Sequence, residues 1–212
     1  MRANADKAIR PDVDAVENVT DKLQLAAERR VAALLTGCAN WASASNPSVK
    51  WDNDASDPLS DIETAKNAVI KQTGTEPNVC IISRDTWRYL RKHPDVVNRF
   101  VYTSRGPVTV AMFADLIEIP KILIGNSIYN SAAEGATDSM SFIWGDMLWM
   151  GYVAPNPGLR QPSSMYVFQW GANEVNRYRE GRKHTDIIEV MHSVDEIISS
   201  SISGAIFSDC IT

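Results

Sequence analysis

The sequence has little of the chemistry on which most metalloenzymes and secreted proteins rely. Its 212 residues include only three cysteines and three histidines. The cysteines are far apart and form no C-x-x-C pair, so neither a disulfide framework nor a cysteine-rich zinc site is expected. We interpret the cysteines as free structural thiols and the histidines as solvated side chains. The cysteines are Cys38, Cys80 and Cys210, and the histidines are His93, His184 and His192.

The signature motifs of nucleotide-binding and hydrolytic enzymes are also missing. The sequence contains no G-x-x-x-x-G-K-S/T, no G-x-G-x-x-G after a predicted strand, no G-x-S-x-G and no H-E-x-x-H. We therefore predict a protein that is not an enzyme and that has no catalytic residue, no cofactor and no metal.

Long apolar runs and a strong positive charge are absent as well. The most apolar stretch, SFIWGDMLWMGYVAP at residues 141–155, is shorter than the ~20 residues of a membrane helix. The N-terminal residues lack the apolar stretch of a secretory signal, so we expect a soluble intracellular protein. A formal net charge of −5 argues against a protein whose main function is to bind nucleic acid, because such binding needs a strongly basic surface.

The strongest pattern that is present is a long amphipathic helix. Apolar residues recur at three- and four-residue steps and predict a helix over residues 12–36. Leu23, Val31 and Leu34 are expected on its buried face. A helix of this length is typical of a brace for an extended structure.

Shorter elements follow along the chain. Ser60 and Glu63 have the spacing of a capping box and predict the start of a second helix. Val79 to Ile82 read as a buried strand, after which Ser83 caps another helix. A third amphipathic helix is expected in VTVAMFADLI, ended by Pro120.

Two longer strands are predicted in KILIGNSIY and SFIWGDMLWMGYV, and a strand or two in MYVFQW to IIEVMH near the chain end. The order of helices and strands lacks the regular alternation of a doubly wound nucleotide-binding fold. It indicates a mixed α+β protein.

The best candidate for a metal site is DNDASDPLSDIE, residues 52–63. Five of its oxygen-bearing residues fall at calcium-binding positions of an EF-hand loop. They are Asp52, Asp54, Ser56, Ser60 and Glu63. Asp57 stands where that loop needs glycine and Pro58 follows it, so the start of a helix is the favoured interpretation.

The basic run RYREGRKH has the residues to contact phosphates or the acids of another subunit. Its cations are Arg177, Arg179, Arg182 and Lys183. Because acidic residues are interleaved with them, a solvated face or an inter-subunit salt-bridge surface is favoured over nucleic-acid binding.

In their order, these segments resemble the tailed-bacteriophage major capsid protein family, which has the Hong Kong 97-type shell fold. The resemblance is carried by PNVCIISRDTWRYLRKHPDVVNRF, VAMFADLIEIPKILIGNSIYN, WGDMLWMGYVAP and REGRKHTDIIEVMHSVDEII. It covers nearly the whole chain through segment order and apolar patterns. It implies an α+β fold with a long spine helix, a peripheral domain and an apical domain.

The resemblance also implies a division of the chain. Residues 1–50 would hold the spine helix and the start of the peripheral domain, residues 51–160 the apical domain, and residues 161–212 the return to the peripheral domain. Family members carry an N-terminal arm and a long hairpin, the extended loop, ahead of the spine helix. Here the predicted helix begins at residue 12, so the sequence resembles the later part of a coat protein.

The implied function is a major capsid protein that self-assembles into an icosahedral shell enclosing phage double-stranded DNA. Its partners would be copies of itself in pentamers and hexamers, with portal, scaffolding and decoration proteins. Packaged DNA would lie nearby without sequence-specific binding, and no membrane is involved. The protein would reside in the virion, and in the host cytoplasm during assembly.

Within this resemblance the predicted subunit-interface residues are Arg177, Arg179, Arg182 and Lys183. A nanocompartment shell protein of the same fold stays open as an alternative. So do a calcium-dependent binding module and a small enzyme.

Overall fold

The computed structural model describes residues 11–100, 107–158 and 161–212. The chain divides into two compact units. Met1–Val31 and Val167–Ile197 make up the first, which we call the hairpin unit. Ala32–Tyr166 and Ile198–Thr212 make up the second, which we call the sheet unit. The division into residues 1–50, 51–160 and 161–212 stays a prediction.

Five α-helices lie within the described residues. They are α1 (Pro11–Thr36), α2 (Pro58–Thr73), α3 (Arg84–Leu90), α4 (Pro94–Phe100) and α5 (Val110–Ile117). Helix α1 confirms the predicted long helix. None of these helices is both long and apolar enough to span a bilayer.

The burial expected on α1 is wrong in detail. Leu23, Val31 and Leu34 are only half-buried, whereas Ala32 and Leu35 are buried. A period of 3.6 residues fixes which side chains share a face, but not how completely neighbouring elements cover that face.

Helix α2 begins earlier than the predicted capping box. Asp57 is its N-cap, with a side-chain oxygen accepting from the backbone N–H of Ser60 at 3.0 Å, and Pro58 occupies the first turn. A helix could begin at Asp57 or at Ser60. Pro58 favours the start at Asp57, because the fixed φ of proline suits the first turn of a helix. The predicted cap at Ser83 is confirmed, since its side chain accepts from the backbone N–H of Thr86.

Helix α5 stops at Ile117, three residues before the proline expected to end it. Glu118 takes a left-handed conformation with φ 56°, and its backbone N–H bonds to Ala114 O. The buried Lys66 of α2 holds this end, because its Nζ donates to Glu118 Oε2 at 2.8 Å and to Ile117 O at 3.3 Å. The same contact lowers the pKa of the Glu118 carboxyl.

Eleven strands occur in the described part of the chain. They are β1 (Ser43–Ser45), β2 (Val79–Ser83), β3 (Lys121–Gly125), β4 (Ile128–Asn130), β5 (Met140–Phe142), β6 (Leu148–Gly151), β7 (Met165–Gln169), β8 (Glu174–Glu180), β9 (Thr185–Met191), β10 (Val194–Ile198) and β11 (Gly204–Phe207).

Five of these strands form the central sheet of the sheet unit, in the order β1-β11-β6-β2-β3. Strand β11 runs parallel to β1 and antiparallel to β6, and β2 runs parallel to β3. All residues of β6 and β11 are buried. The apolar stretch at residues 141–155 therefore contributes a core strand, but only over Leu148–Gly151.

The two long predicted strands are each broken in two. KILIGNSIY splits into β3 and β4, and SFIWGDMLWMGYV splits into β5 and β6. Strands β4 and β5 leave the central sheet and pair with each other. Gly145, with φ 57°, lies in the turn between β5 and β6, a conformation that favours glycine.

Candidate subunit interface

Strands β8 and β9 form a long antiparallel ribbon in the hairpin unit. Their register runs without interruption from Glu174 opposite Met191 to Glu180 opposite Thr185. Six of the seven residues of β8 are exposed, and no third strand pairs with the ribbon among the described residues. Side chains of β8 are therefore accessible on both faces of the ribbon.

The four predicted interface cations all lie on this ribbon and are exposed. Arg177 and Arg179 belong to β8, and Arg182 and Lys183 lie in the turn. Arg177 Nη2 donates to Asp186 Oδ2 at 3.4 Å, and Lys183 Nζ lies 3.5 Å from Glu180 Oε2. Exposed pairs like these contribute under ~1 kcal/mol each. The structure brings the four cations together, and their role at an interface stays a prediction.

Apolar side chains are exposed on and beside β7. Val167 and Phe168 are more than half exposed, and Trp170, just after the strand, is 87% exposed. The backbone N–H of Trp170 donates to Ser193 O at 3.0 Å, which fixes the chain where β7 meets the start of β10. A largely exposed tryptophan is typical of an interaction surface.

An open groove of about 600 Å³ lies beside Trp170 within the hairpin unit. Leu23 of α1 and the β9 residues Val190 and Met191 supply its apolar lining, and Glu174 and His192 its polar one. A lining that mixes apolar and polar side chains is typical of protein–protein interfaces.

A bidentate ion pair ties α1 to β10 in the hairpin unit. Arg30 Nη2 donates to Glu196 Oε1 at 2.8 Å, and Arg30 Nε donates to both carboxylate oxygens at 3.1 and 3.2 Å. The Glu196 side chain is 8% exposed. Hydrogen bonding from Arg30 lowers the pKa of Glu196 below its ordinary value, against the opposing effect of burial.

We expect Glu196→Gln to lower the free energy of unfolding at pH 7 by about 1 kcal/mol, since one partner of a half-exposed, charge-assisted pair is lost. A lowered folded pKa gives stability that is present above the unfolded pKa and is lost as the pH falls through the folded one. The difference between variant and wild type should therefore vanish in acid. Urea unfolding at several pH values checks this, with the exposed Glu17→Gln as control; a pH-independent difference would contradict it.

The sheet unit carries a second exposed apolar surface on the β4–β5 ribbon. Ile128 lies opposite Phe142, and Asn130 lies opposite Met140. Alternate residues of a strand share a face, so Ile128, Met140 and Phe142 lie on one side of this ribbon. All three are exposed, Met140 at 63%.

The predicted calcium-loop residues do not converge. Asp52 accepts from the backbone N–H of Thr212, Ser56 Oγ donates to Asn53 O, and Glu63 accepts from the Asn67 amide. Ser60 lies in the first turn of α2, capped by Asp57. Asp54 is exposed. Across residues 11–100, 107–158 and 161–212, no group of three or more His, Cys, Asp or Glu side chains is arranged to hold a metal ion.

His93 is buried, at 4% exposure, so the prediction of a solvated side chain is wrong. Its Nδ1 accepts from the backbone N–H of Asp95 at 3.2 Å, which leaves Nε2 as the donor. Nε2 lies 3.0 Å from Ser56 Oγ and 3.2 Å from Asn53 O. The ring therefore joins the loop before α2 to the start of α4. His184 and His192 are exposed, as expected.

Two carboxyl groups of the sheet unit have a raised pKa. Burial, followed by the negative charge of Asp57, raises the pKa of Asp95. Partial burial, followed by the charges of Asp85 and Asp209, raises the pKa of Asp146. Since the folded state binds these protons more tightly, protonation of both groups favours folding as the pH falls.

Sequence reasoning missed Trp170 and the Arg30–Glu196 pair. The run MYVFQW has no polar alternation, a pattern typical of a buried strand, and only the charged segment after it pointed to the surface. Arg30 and Glu196 are 166 residues apart, and no local pattern connects them.

The chain is similar to known phage proteins. The description of the matching family is "Phage major capsid protein E", and the match covers residues 44–140. The chain is 27% identical to a major capsid protein of Burkholderia phage BcepMu, over 92% of this chain and 64% of that protein. It is 25% identical to a major capsid protein of Pseudomonas phage JBD67, over 98% of this chain and 69% of that protein. The chain thus spans about two thirds of the length of these relatives.

Solved structures give a concordant result. A phage-related protein from Bordetella bronchiseptica RB50 has a TM-score of 0.85 and 29% identity, over 99% of this chain and 71% of that one. A chain from Mycobacterium phage Che8 has a TM-score of 0.59 and 14% identity, over 93% of this chain and 63% of that one, and it shares the fold alone.

Proposed function

Because this chain is similar to phage major capsid proteins, we propose that its copies assemble into a closed icosahedral shell that encloses double-stranded phage DNA. The family implies a structural, non-enzymatic role. The single observation that carries assembly is the surface of the hairpin unit, where β8 is exposed along its length and Trp170 is 87% exposed. Exposed ribbons and aromatic side chains are typical of surfaces that neighbouring subunits cover.

The finer assignments rest on the resemblance to the Hong Kong 97-type fold. In that arrangement α1 is the spine helix of a peripheral domain, residues 51–160 with strands β2, β3 and β6 form the apical domain, and subunits form pentamers and hexamers. Arg177, Arg179, Arg182 and Lys183 then lie at contacts between subunits. Portal, scaffolding and decoration proteins are further partners. The protein acts in the virion, after assembly in the host cytoplasm.

A net charge of −5 supports a shell that lies near DNA without binding it strongly. Close attraction between a basic inner face and the phosphates would oppose movement of the genome during packaging and release.

Assembly is tested by expressing the protein from its complete coding sequence and examining the product by sedimentation and negative-stain microscopy. Closed particles of uniform size are expected. A protein that remains a monomer at all concentrations would overturn the proposal. The nanocompartment alternative predicts particles that hold enzymes instead of DNA, and nucleic-acid analysis of particles isolated from infected cells separates the two.

We expect Trp170→Ala to lower the yield of particles markedly while the subunit keeps its stability. Buried aromatic anchors at interfaces cost ~2 kcal/mol or more when truncated, whereas exposed side chains contribute within ~0.5 kcal/mol to folding. Particle yield from sedimentation and subunit melting temperature are the two measurements. Trp170→Tyr is the matched control because it keeps an aromatic ring, and full assembly of Trp170→Ala would show that this surface lies outside the contacts.

A further inference from the structure

The register of the β8–β9 ribbon sorts its charges by face. Directly opposed residues and alternate residues along a strand share a face. One face, here the glutamate face, carries three carboxylates, from Glu174, Glu180 and Glu189. The other face, here the arginine face, carries Arg177, Arg179 and Asp186. Its two arginines less one aspartate leave a net charge of +1, against −3 on the glutamate face.

Each face also has an apolar part. The glutamate face places Tyr178 opposite Ile187, between Glu189 and Glu180. The arginine face places Val175 opposite Val190, beside Ile188. Val175 and Tyr178 are both about half exposed. Apolar side chains flanked by opposite charges give the two faces the complementarity of interface partners.

Additional contacts would stabilise the ribbon. A two-stranded ribbon alone in water is marginally stable, and within the described part of the chain no further strand extends this one. Two copies facing each other through the same surface would oppose like charges. Contact between unlike faces avoids that repulsion, and it is heterologous, the kind of contact that closes into rings.

We propose that the arginine face of one subunit's ribbon docks on the glutamate face of the ribbon in the next subunit. This inference rests on the proposed function, because it assigns one of the contacts between neighbouring copies. Since the ribbon is short, it is one part of a larger interface. Its charges set the direction in which successive copies join.

The test exchanges the charges of one face at a time. The arginine-face variant is Arg177→Glu, Arg179→Glu and Asp186→Lys, which preserves an ion pair between positions 177 and 186 with reversed sign. The glutamate-face variant is Glu174→Lys and Glu189→Lys, and it keeps Glu180 with its partner Lys183. A five-substitution variant combines both changes and restores unlike faces.

We expect each single-face variant to lower the yield of oligomers and particles about tenfold at low salt, because like charges then meet at every contact. The five-substitution variant should recover most of the yield. The two single-face variants should associate with each other when mixed, in higher yield than either variant alone. High salt should reduce the defect, since screening weakens exposed charges. Sedimentation and light scattering give these readouts, and melting curves verify folding.

Normal assembly of either single-face variant would overturn the inference, and so would failure of the five-substitution variant to recover. If the arginine-face variant does not fold, Arg177→Gln with Arg179→Gln replaces it and should give a smaller, salt-dependent loss; an unchanged yield would again overturn the inference. If the wild type forms particles but the five-substitution variant does not recover its yield, only the ribbon contact is refuted. If the wild-type protein forms no oligomer, the proposed function is refuted as well.

Discussion

Trp51→Ala is expected to lower the free energy of unfolding by about 3–5 kcal/mol, as for other large-to-small changes at buried aromatic positions. The Trp51 side chain is 1% exposed. Its ring lies 5.3 Å from that of Phe207, centroid to centroid, and its indole Nε1 donates to Asp61 Oδ2 at 3.0 Å. The substitution therefore removes packing between the loop before α2 and strand β11, and also leaves Asp61 without this donor.

A loss of this size is a large part of the total stability of ~5–15 kcal/mol typical of a domain. Urea unfolding followed by circular dichroism measures it as a shift of the midpoint. Trp170→Ala is the matched control, because it removes the same atoms from a site that is 87% exposed and should change stability by less than ~0.5 kcal/mol. Equal effects of the two substitutions would contradict the assignment of Trp51 to the core.

Gly204→Val is expected to destabilise the protein by about 1–3 kcal/mol, and more if the sheet cannot adjust, because it overpacks the start of the buried strand β11. Gly204 of β11 lies opposite Gly151 of β6. A Cβ atom at position 204 would lie 2.6 Å from Trp41 Cζ3 and 2.7 Å from Trp41 Cε3. Trp41 has little room to move, since its Nε1 donates to Leu35 O at 2.9 Å.

The backbone at Gly204 is extended, with φ −140°, so the cost comes from the close approach of the indole and not from backbone strain. Thermal and urea unfolding measure the loss. Gly158→Val is the matched control, because a Cβ there meets nothing within 4 Å. Destabilisation of the same size at both glycines would show that the tryptophan contact is not its cause.

The resemblance to phage major capsid proteins was predicted from the order of segments, and the family match over residues 44–140 and the capsid proteins among the relatives confirm that resemblance. The α+β class is confirmed as well, and the specific Hong Kong 97-type arrangement remains part of the proposal. Segment order can be read because it depends on local patterns that are repeated along the chain, and no single motif is needed.

The cations of the candidate interface could be predicted from the sequence, but their arrangement on the ribbon could not. RYREGRKH showed a charged run, whereas the separation of Arg177 and Arg179 from the three glutamates depends on the register with β9. A one-residue shift in pairing would move these side chains to the opposite face relative to β9, and no property of either strand alone fixes that register.

By itself the sequence determined the elements whose signals are local: the long helix α1, the strand β2, and the cap at Ser83. Periodicity and capping depend on residues a few positions apart, so they can be read without the fold. Only the tertiary structure decided the order of the strands and which side chains are buried. It put β11 inside the sheet between β1 and β6, buried His93 against Asn53 and Ser56, and left Trp170 exposed. Those outcomes depend on contacts between segments that are distant in sequence. There the packing of the folded chain outweighs the local structural preference of any one residue.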